Sequence, residues 1–165
     1  MDKKPFKNRF YLYAQKLYVS VKIIEMEYIT NSEKETRGLI KEILNISPFL
    51  NNATVYILEG DLGAGKTTFV KGLEDMFNIQ IKSPTFNIIK RYKINYKGFK
   101  NLYHIDFYRV HDVEGLNFEE ILKDKQNLIF IEWGSNVKKS IPDFAKWIFF
   151  EYINKGKRKI IYESN

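Results

Sequence analysis

These 165 residues contain no cysteine. Disulfides, thiolate metal sites and a cysteine nucleophile are excluded together, and a reducing compartment fits. No apolar run approaches the roughly 20 residues of a membrane span. The basic N-terminus has its apolar stretch interrupted by Gln15 and Lys16. No signal peptide is read there, and the cytoplasm is the expected location, with no membrane partner. Internal repeats and low-complexity linkers are missing. There is no [NT]KxD element, so guanine specificity has no support.

What is present suits one domain with one sizeable core. The apolar fraction is 44% and the aromatic fraction 16%, too high for a disordered tail. The formal charge of +7 raises nucleic-acid binding. Residues 1–25 carry Lys3, Lys4, Lys7, Arg9, Lys16 and Lys22 against Asp2 and Glu25, a net of +4 that leaves +3 for residues 26–165. That distribution argues against nucleic-acid binding as the main function. It also marks a boundary near Met26. Residues 1–25 are expected to be an N-terminal extension of uncertain role, and Met26 is a possible biological start. Residues 26–165 are expected to be the working domain.

Past Met26 the pattern becomes regular. Residues 27–30 read as a short strand. Ser32 with Glu35 resembles a capping box, opening a helix with Leu39, Ile40, Ile43 and Leu44 on one face. Residues 54–58 read as a buried strand, 66–77 as a helix and Ser83-Pro84 as a break. Strands are expected at 87–94 and 101–105 around a turn at 95–100. A helix is expected at 118–123 and an apolar strand at 128–131. A hairpin at 146–153 and 157–162 closes the chain. The order implies an α/β fold: a P-loop NTPase-like three-layer sandwich with a mixed parallel and antiparallel sheet.

Residues 60–67, Gly60-Asp61-Leu62-Gly63-Ala64-Gly65-Lys66-Thr67, match GxxxxGK[ST] without departure. Glycines permit the positive φ angles that turn successive N–H groups inward onto phosphate oxygens. The helix beginning at Lys66 adds its dipole to the same anion. Lys66 reaches the β- and γ-phosphates, and the Thr67 hydroxyl suits magnesium. ATP with magnesium is the expected ligand pair. Such a loop needs a carboxylate at the end of a neighbouring strand. Two positions fit: Glu132, after the apolar run 128–131, and Asp106, after 102–105. The sequence does not decide which binds metal and which positions water. Ser83 and Thr85 flank Pro84 where a γ-phosphate-sensing segment often lies. His104 and Trp133 read as core residues, and Arg109 as an ion-pair partner for an acid.

With those residues in view, the chain resembles the TsaE (formerly YjeE) family of bacterial P-loop ATPases. The resemblance rests on G-D-L-G-A-G-K-T-T-F-V-K-G-L at 60–73, S-P-T-F at 83–86, Y-H-I-D-F-Y-R at 103–109 and I-E-W at 131–133. It covers about residues 26–162. It implies an ATPase that supports formation of threonylcarbamoyladenosine at position 37 of tRNA, acting with TsaD and TsaB and meeting tRNA through that complex. It implies Thr67 and Glu132 as magnesium ligands. Asp106 would act near the γ-phosphate, and Thr85 in a switch-like segment. Thr68 would belong to the phosphate loop, and Ser32, Thr36 and Arg158 to the nucleotide's surroundings. Gly134 departs from the proline many members carry after the tryptophan. A small-molecule kinase and a non-catalytic nucleotide-dependent module are the rival readings. The few arginines and the missing lid insertion count against the kinase.

Overall fold

The computed structural model describes residues 24–46, 52–84 and 87–164. Seven strands form one sheet in the order β1-β7-β6-β2-β5-β4-β3. They are β1 (Ile24–Thr30), β2 (Thr54–Glu59), β3 (Ile89–Tyr96), β4 (Phe99–Asp106), β5 (Asn127–Glu132), β6 (Lys146–Asn154) and β7 (Lys157–Ser164). The middle four strands run parallel: β2 pairs β5 on one side and β6 on the other, and β4 pairs β5. Antiparallel strands extend both edges, β3 beyond β4, and β7 then β1 beyond β6.

All six residues of β5 are buried, which is why its sequence is a continuous apolar run rather than an alternation. Even-numbered residues of β5 face one core and odd-numbered residues the other. Helix α1 (Glu33–Ile46) lays Leu39, Ile40, Ile43 and Leu44 into the first core. There they meet Phe69 and Val70 of α2 (Lys66–Lys71) and Leu128 and Phe130 of β5. The opposite core packs Ile129 and Ile131 against Phe118 of α4 (Phe118–Lys123) and Val137 of a 3₁₀ segment, Gly134–Ser140. Helical layers therefore cover both faces of the sheet, the three-layer sandwich read from the sequence. No helix among the described residues is long and apolar enough to cross a membrane.

Phe69 fixes the phosphate loop by fixing the helix behind it. Its ring meets Phe130 edge-on at 6.4 Å and Phe150 at 5.5 Å, and Phe130 stacks on Tyr56 at 4.9 Å. Truncating a fully buried phenylalanine costs about 3–5 kcal/mol. The Ser32 Oγ accepts the Glu35 N–H at 3.1 Å, as a capping box requires. The Glu35 carboxylate reaches back one residue further than expected, to the Asn31 N–H at 2.8 Å.

The expected helix over 66–77 is two pieces, α2 and α3 (Glu74–Phe77). The break falls at Gly72, where a Cβ would run into the Arg37 carbonyl of α1. The hairpin expected to turn over 95–100 turns instead on Lys97 and Gly98, with φ of 46° and 90°. Two consecutive positive φ angles make the tight connection that matches strand twist. The 3₁₀ segment has no counterpart in the sequence reading.

Candidate active site

Parallel strands β2, β4 and β5 end together, so their carboxyl ends form one rim of the sheet. Strand β2 delivers Gly60, and the loop turns on Gly60, Gly63 and Gly65 at φ of 139°, 78° and 110°. A Cβ on Gly60 would collide with the Phe150 carbonyl of β6, so that glycine is needed for space as well as for conformation. The Ala64 N–H closes the loop onto the Asp61 carbonyl at 3.1 Å, and the Phe69 N–H bonds the Gly65 carbonyl at 2.9 Å.

Lys66 is buried, at 4% exposure. Its ammonium donates to the carbonyls of Gly60 and Asp61, the latter at 3.0 Å, and lies 4.1 Å from the centre of the Trp133 ring. Burial pulls its pKa below the ordinary lysine value, while the charges of Glu132, Glu59, Asp106 and Asp61 hold it up. The Thr67 hydroxyl donates to Glu132 Oε1 at 2.7 Å. His104 Nε2 meets the same oxygen at 2.8 Å. Glu132 Oε2 makes no hydrogen bond among the described residues. Asp106 stands opposite Glu132 in the β4–β5 register. Its Oδ1 accepts the Tyr108 N–H at 2.9 Å. Burial raises the Asp106 pKa, the Tyr108 bond lowers it, the Glu132 charge raises it again, and His104 and Lys66 lower it.

A cleft of about 360 Å³ opens between the phosphate loop, Ser83 and Pro84, Asp106, Arg109 and the Glu132–Trp133 pair. Tyr108 tilts over Trp133 at 5.1 Å at its mouth. A wider depression of about 610 Å³ at Glu74, Asp75 and Asn78 lies apart from the loop and offers no cation to a phosphate. Among the described residues no three His, Asp or Glu side chains cluster as a cage for a metal. Thr67 Oγ1 and the Glu132 carboxylate are instead the two-oxygen set suited to magnesium that keeps waters and phosphate oxygens as its other ligands.

The geometry thus brings together Lys66, Thr67, Asp106 and Glu132. Thr68 lines the same cleft. Asp61 and Leu62 are exposed on the loop. Arg158 backs the loop from β7: its Nε donates to the Ala64 carbonyl at 2.9 Å and its Nη2 to the Gly63 carbonyl at 3.3 Å. A Cβ added at Gly65 would come within van der Waals reach of the Thr36 methyl, and the Thr36 hydroxyl bonds Thr30 Oγ1 at 2.8 Å. Ser32 caps α1. Thr85 and Phe86 lie outside the described residues.

Two residues read as core bear on the site, His104 from within the core and Trp133 from the cleft. His104 is fully buried, and its Nε2 holds Glu132. Trp133, at φ 62°, covers Lys66. A signal for His104 was present, since it lies two residues before Asp106 on the same face of β4.

The family model for "Threonylcarbamoyl adenosine biosynthesis protein TsaE" matches residues 30–160. The chain belongs to the TsaE family. The tRNA threonylcarbamoyladenosine biosynthesis protein TsaE of Bacillus subtilis is 33% identical over 141 residues, 84% of this chain and 85% of that protein. The TsaE protein of Rickettsia typhi is 42% identical over 115 residues, 66% and 74% of the two chains. That of Aquifex aeolicus is 35% identical over 138 residues, 81% and 92%. Among solved structures, Bacillus subtilis YdiB superimposes with a TM-score of 0.65 at 27% identity, covering 88% of each chain. Residues from each motif that carries the resemblance line the cleft just described, and the family is one named for threonylcarbamoyladenosine biosynthesis in tRNA.

Proposed function

We propose that this TsaE-family chain hydrolyses ATP with magnesium, and that it does so in support of threonylcarbamoyladenosine formation on tRNA alongside TsaD and TsaB. One observation carries the reading: the Thr67 hydroxyl of the phosphate-loop helix and His104 of β4 converge on one oxygen of Glu132 at the end of β5. That geometry leaves lone pairs on Thr67 Oγ1 and the whole of Oε2 for a cation or its water.

The residues divide the work by position. The loop N–H groups bind and orient the phosphates. Lys66 leaves its carbonyl partners and carries its charge to the γ-phosphate. Thr67 and Glu132 would hold magnesium, which would offset the negative charge of the phosphates. Asp106 Oδ2, with no hydrogen bond among the described residues, holds the attacking water and accepts its proton. The raised pKa of that carboxyl suits it to the task. Arg158 and Thr36 keep the loop in shape beneath the nucleotide, and Thr85 belongs to the segment that senses the γ-phosphate.

The test is Lys66→Ala in a phosphate-release assay with magnesium. Phosphoryl transfer depends on positioning and electrostatics, so turnover should fall on the order of 10²-fold or more. Unchanged release by the variant would overturn the assignment.

A further inference from the structure

One stretch of residues 26–165 carries positive charge with no acid beside it. Between Asp75 and Asp106 there is no Asp or Glu, but there are Lys82, Lys90, Arg91, Lys93, Lys97 and Lys100, a net of +6. The stretch builds β3, its turn and β4, with β3 the outer edge of the sheet. Lys82, Lys90, Arg91, Lys93 and Lys100 form no ion pair among the described residues.

Two of these cations are held in a specific arrangement. Arg91 Nε and Nη2 donate to Asn101 Oδ1 at 3.1 and 2.8 Å, and Lys93 Nζ donates to the same oxygen at 3.1 Å. Asn101 is buried, at 5% exposure. Its Nδ2 donates to Asn127 Oδ1 at 2.8 Å, and Asn127 Nδ2 donates to the Ile121 carbonyl at 2.9 Å. A backbone carbonyl can only accept, so this relay fixes both amides and keeps Asn101 Oδ1 turned toward the cations. One neutral oxygen with two lone pairs thus faces three N–H groups and two full positive charges. An added anion would relieve both the shortage of acceptors and the repulsion.

We propose that Arg91, Lys93 and Asn101 form an anion clamp for the phosphodiester backbone of RNA, and that the β3–β4 hairpin is the rim along which that backbone lies. Eight strand residues extend about 26 Å, enough for several phosphates. Lysine is depleted at the cores of protein–protein interfaces, so a lysine-rich, acid-free rim fits a phosphate backbone better than a protein surface. Edge lysines also discourage edge-to-edge strand pairing. That role does not explain two cations gathered around one fixed amide. The proposal rests on the reading above only in naming tRNA as the RNA, and it adds a direct contact to one expected to be indirect.

The experiment is a fluorescence-anisotropy titration of labelled tRNA transcript with the full chain at 50–200 mM KCl. Arg91→Gln with Lys93→Gln should weaken binding about tenfold. It should also reduce the slope of log K against log salt by about 1–2. Lys138→Gln with Lys139→Gln, which removes the same charge from the exposed 3₁₀ segment, should change neither by that much. Equal affinity and slope for the Arg91/Lys93 variant and the unaltered chain, or equal losses in both double variants, would overturn the clamp. So would a variant that keeps tRNA binding but no longer associates with TsaB–TsaD, since the surface would then belong to a protein partner. Should the double variant fail to melt cooperatively, Lys93→Gln alone carries the slope test. Phosphate release without RNA should be unchanged in both double variants. Its absence from every protein would count against the ATPase reading and not against the clamp.

Discussion

At the scale of single residues, the site is organised around Glu132 Oε1, which receives both Thr67 and His104. The two acids at the sheet rim are therefore not equivalent. Glu132→Ala removes the carboxylate proposed to hold the metal and should raise the magnesium concentration needed for half-maximal nucleotide binding. Asp106→Asn should leave binding nearly intact and lower hydrolysis. His104→Leu should shift the magnesium requirement in the same direction as Glu132→Ala, and His104→Gln, whose amide can still donate to Oε1, should recover most of it. Binding titrations over a magnesium series check all of these, and equal binding loss for Asp106→Asn and Glu132→Ala would reject the division. Lys146, at the opposite end of the parallel strands, tests the core. It is 2% exposed, its Nζ has no hydrogen-bond partner among the described residues, and it lies 5.3 Å from the Tyr56 ring. Burial lowers its pKa from the ordinary 10.5 to about 8. The folded state thus loses a proton that the unfolded state keeps, and stability from this group rises with pH between those values. Lys146→Met should stabilise the protein near pH 7 by about 3 kcal/mol. The gain should fade between pH 8 and 10.5, as thermal melts across that range would record.

At the scale of elements, the sequence announces what local chemistry dictates. The capped amphipathic α1, the apolar β5 and the glycine loop of 60–65 each carry their own pattern, and each is found where the pattern places it. The features that escaped are set by distant neighbours. Residue 72 must be glycine because the α1 backbone approaches it, and the hairpin turns on the positive φ angles of Lys97 and Gly98. Trp133 looks like a core residue until β4 and β5 are laid side by side, which places it in the cleft, while His104 stays buried and bears on the cleft only through Glu132. Arg91 and Lys93 come together on Asn101 only once β3 and β4 are paired. The expected N-terminal extension is tested at this scale. A chain starting at Met26 keeps the pairs from Met26↔Tyr162 to Thr30↔Arg158. It should melt cooperatively and bind ATP with similar affinity. Aggregation or loss of a cooperative melt would assign residues 1–25 to the core.

At the scale of the whole molecule, one sheet rim holds the phosphate-loop cleft and one sheet edge holds a row of positive charge. The rim has the glycine loop of 60–65, Glu132 bonded to Thr67 and His104, and Asp106 opposite Glu132. Its cationic complement is thin: among the described residues, Lys66 and Arg109 are the only cations lining the cleft. Sites of this kind gain about 10³ to 10⁵ in rate when an arginine is supplied, and a partner can also order a switch segment. Hydrolysis by the isolated chain should therefore be slow. The most direct measurement is steady-state phosphate release with magnesium and ATP, first with this protein alone and then with the TsaB–TsaD complex added. The account predicts slow release alone and a marked rise with the complex, abolished in both settings by Lys66→Ala. Fast release by the protein alone, unchanged by the complex, would contradict it.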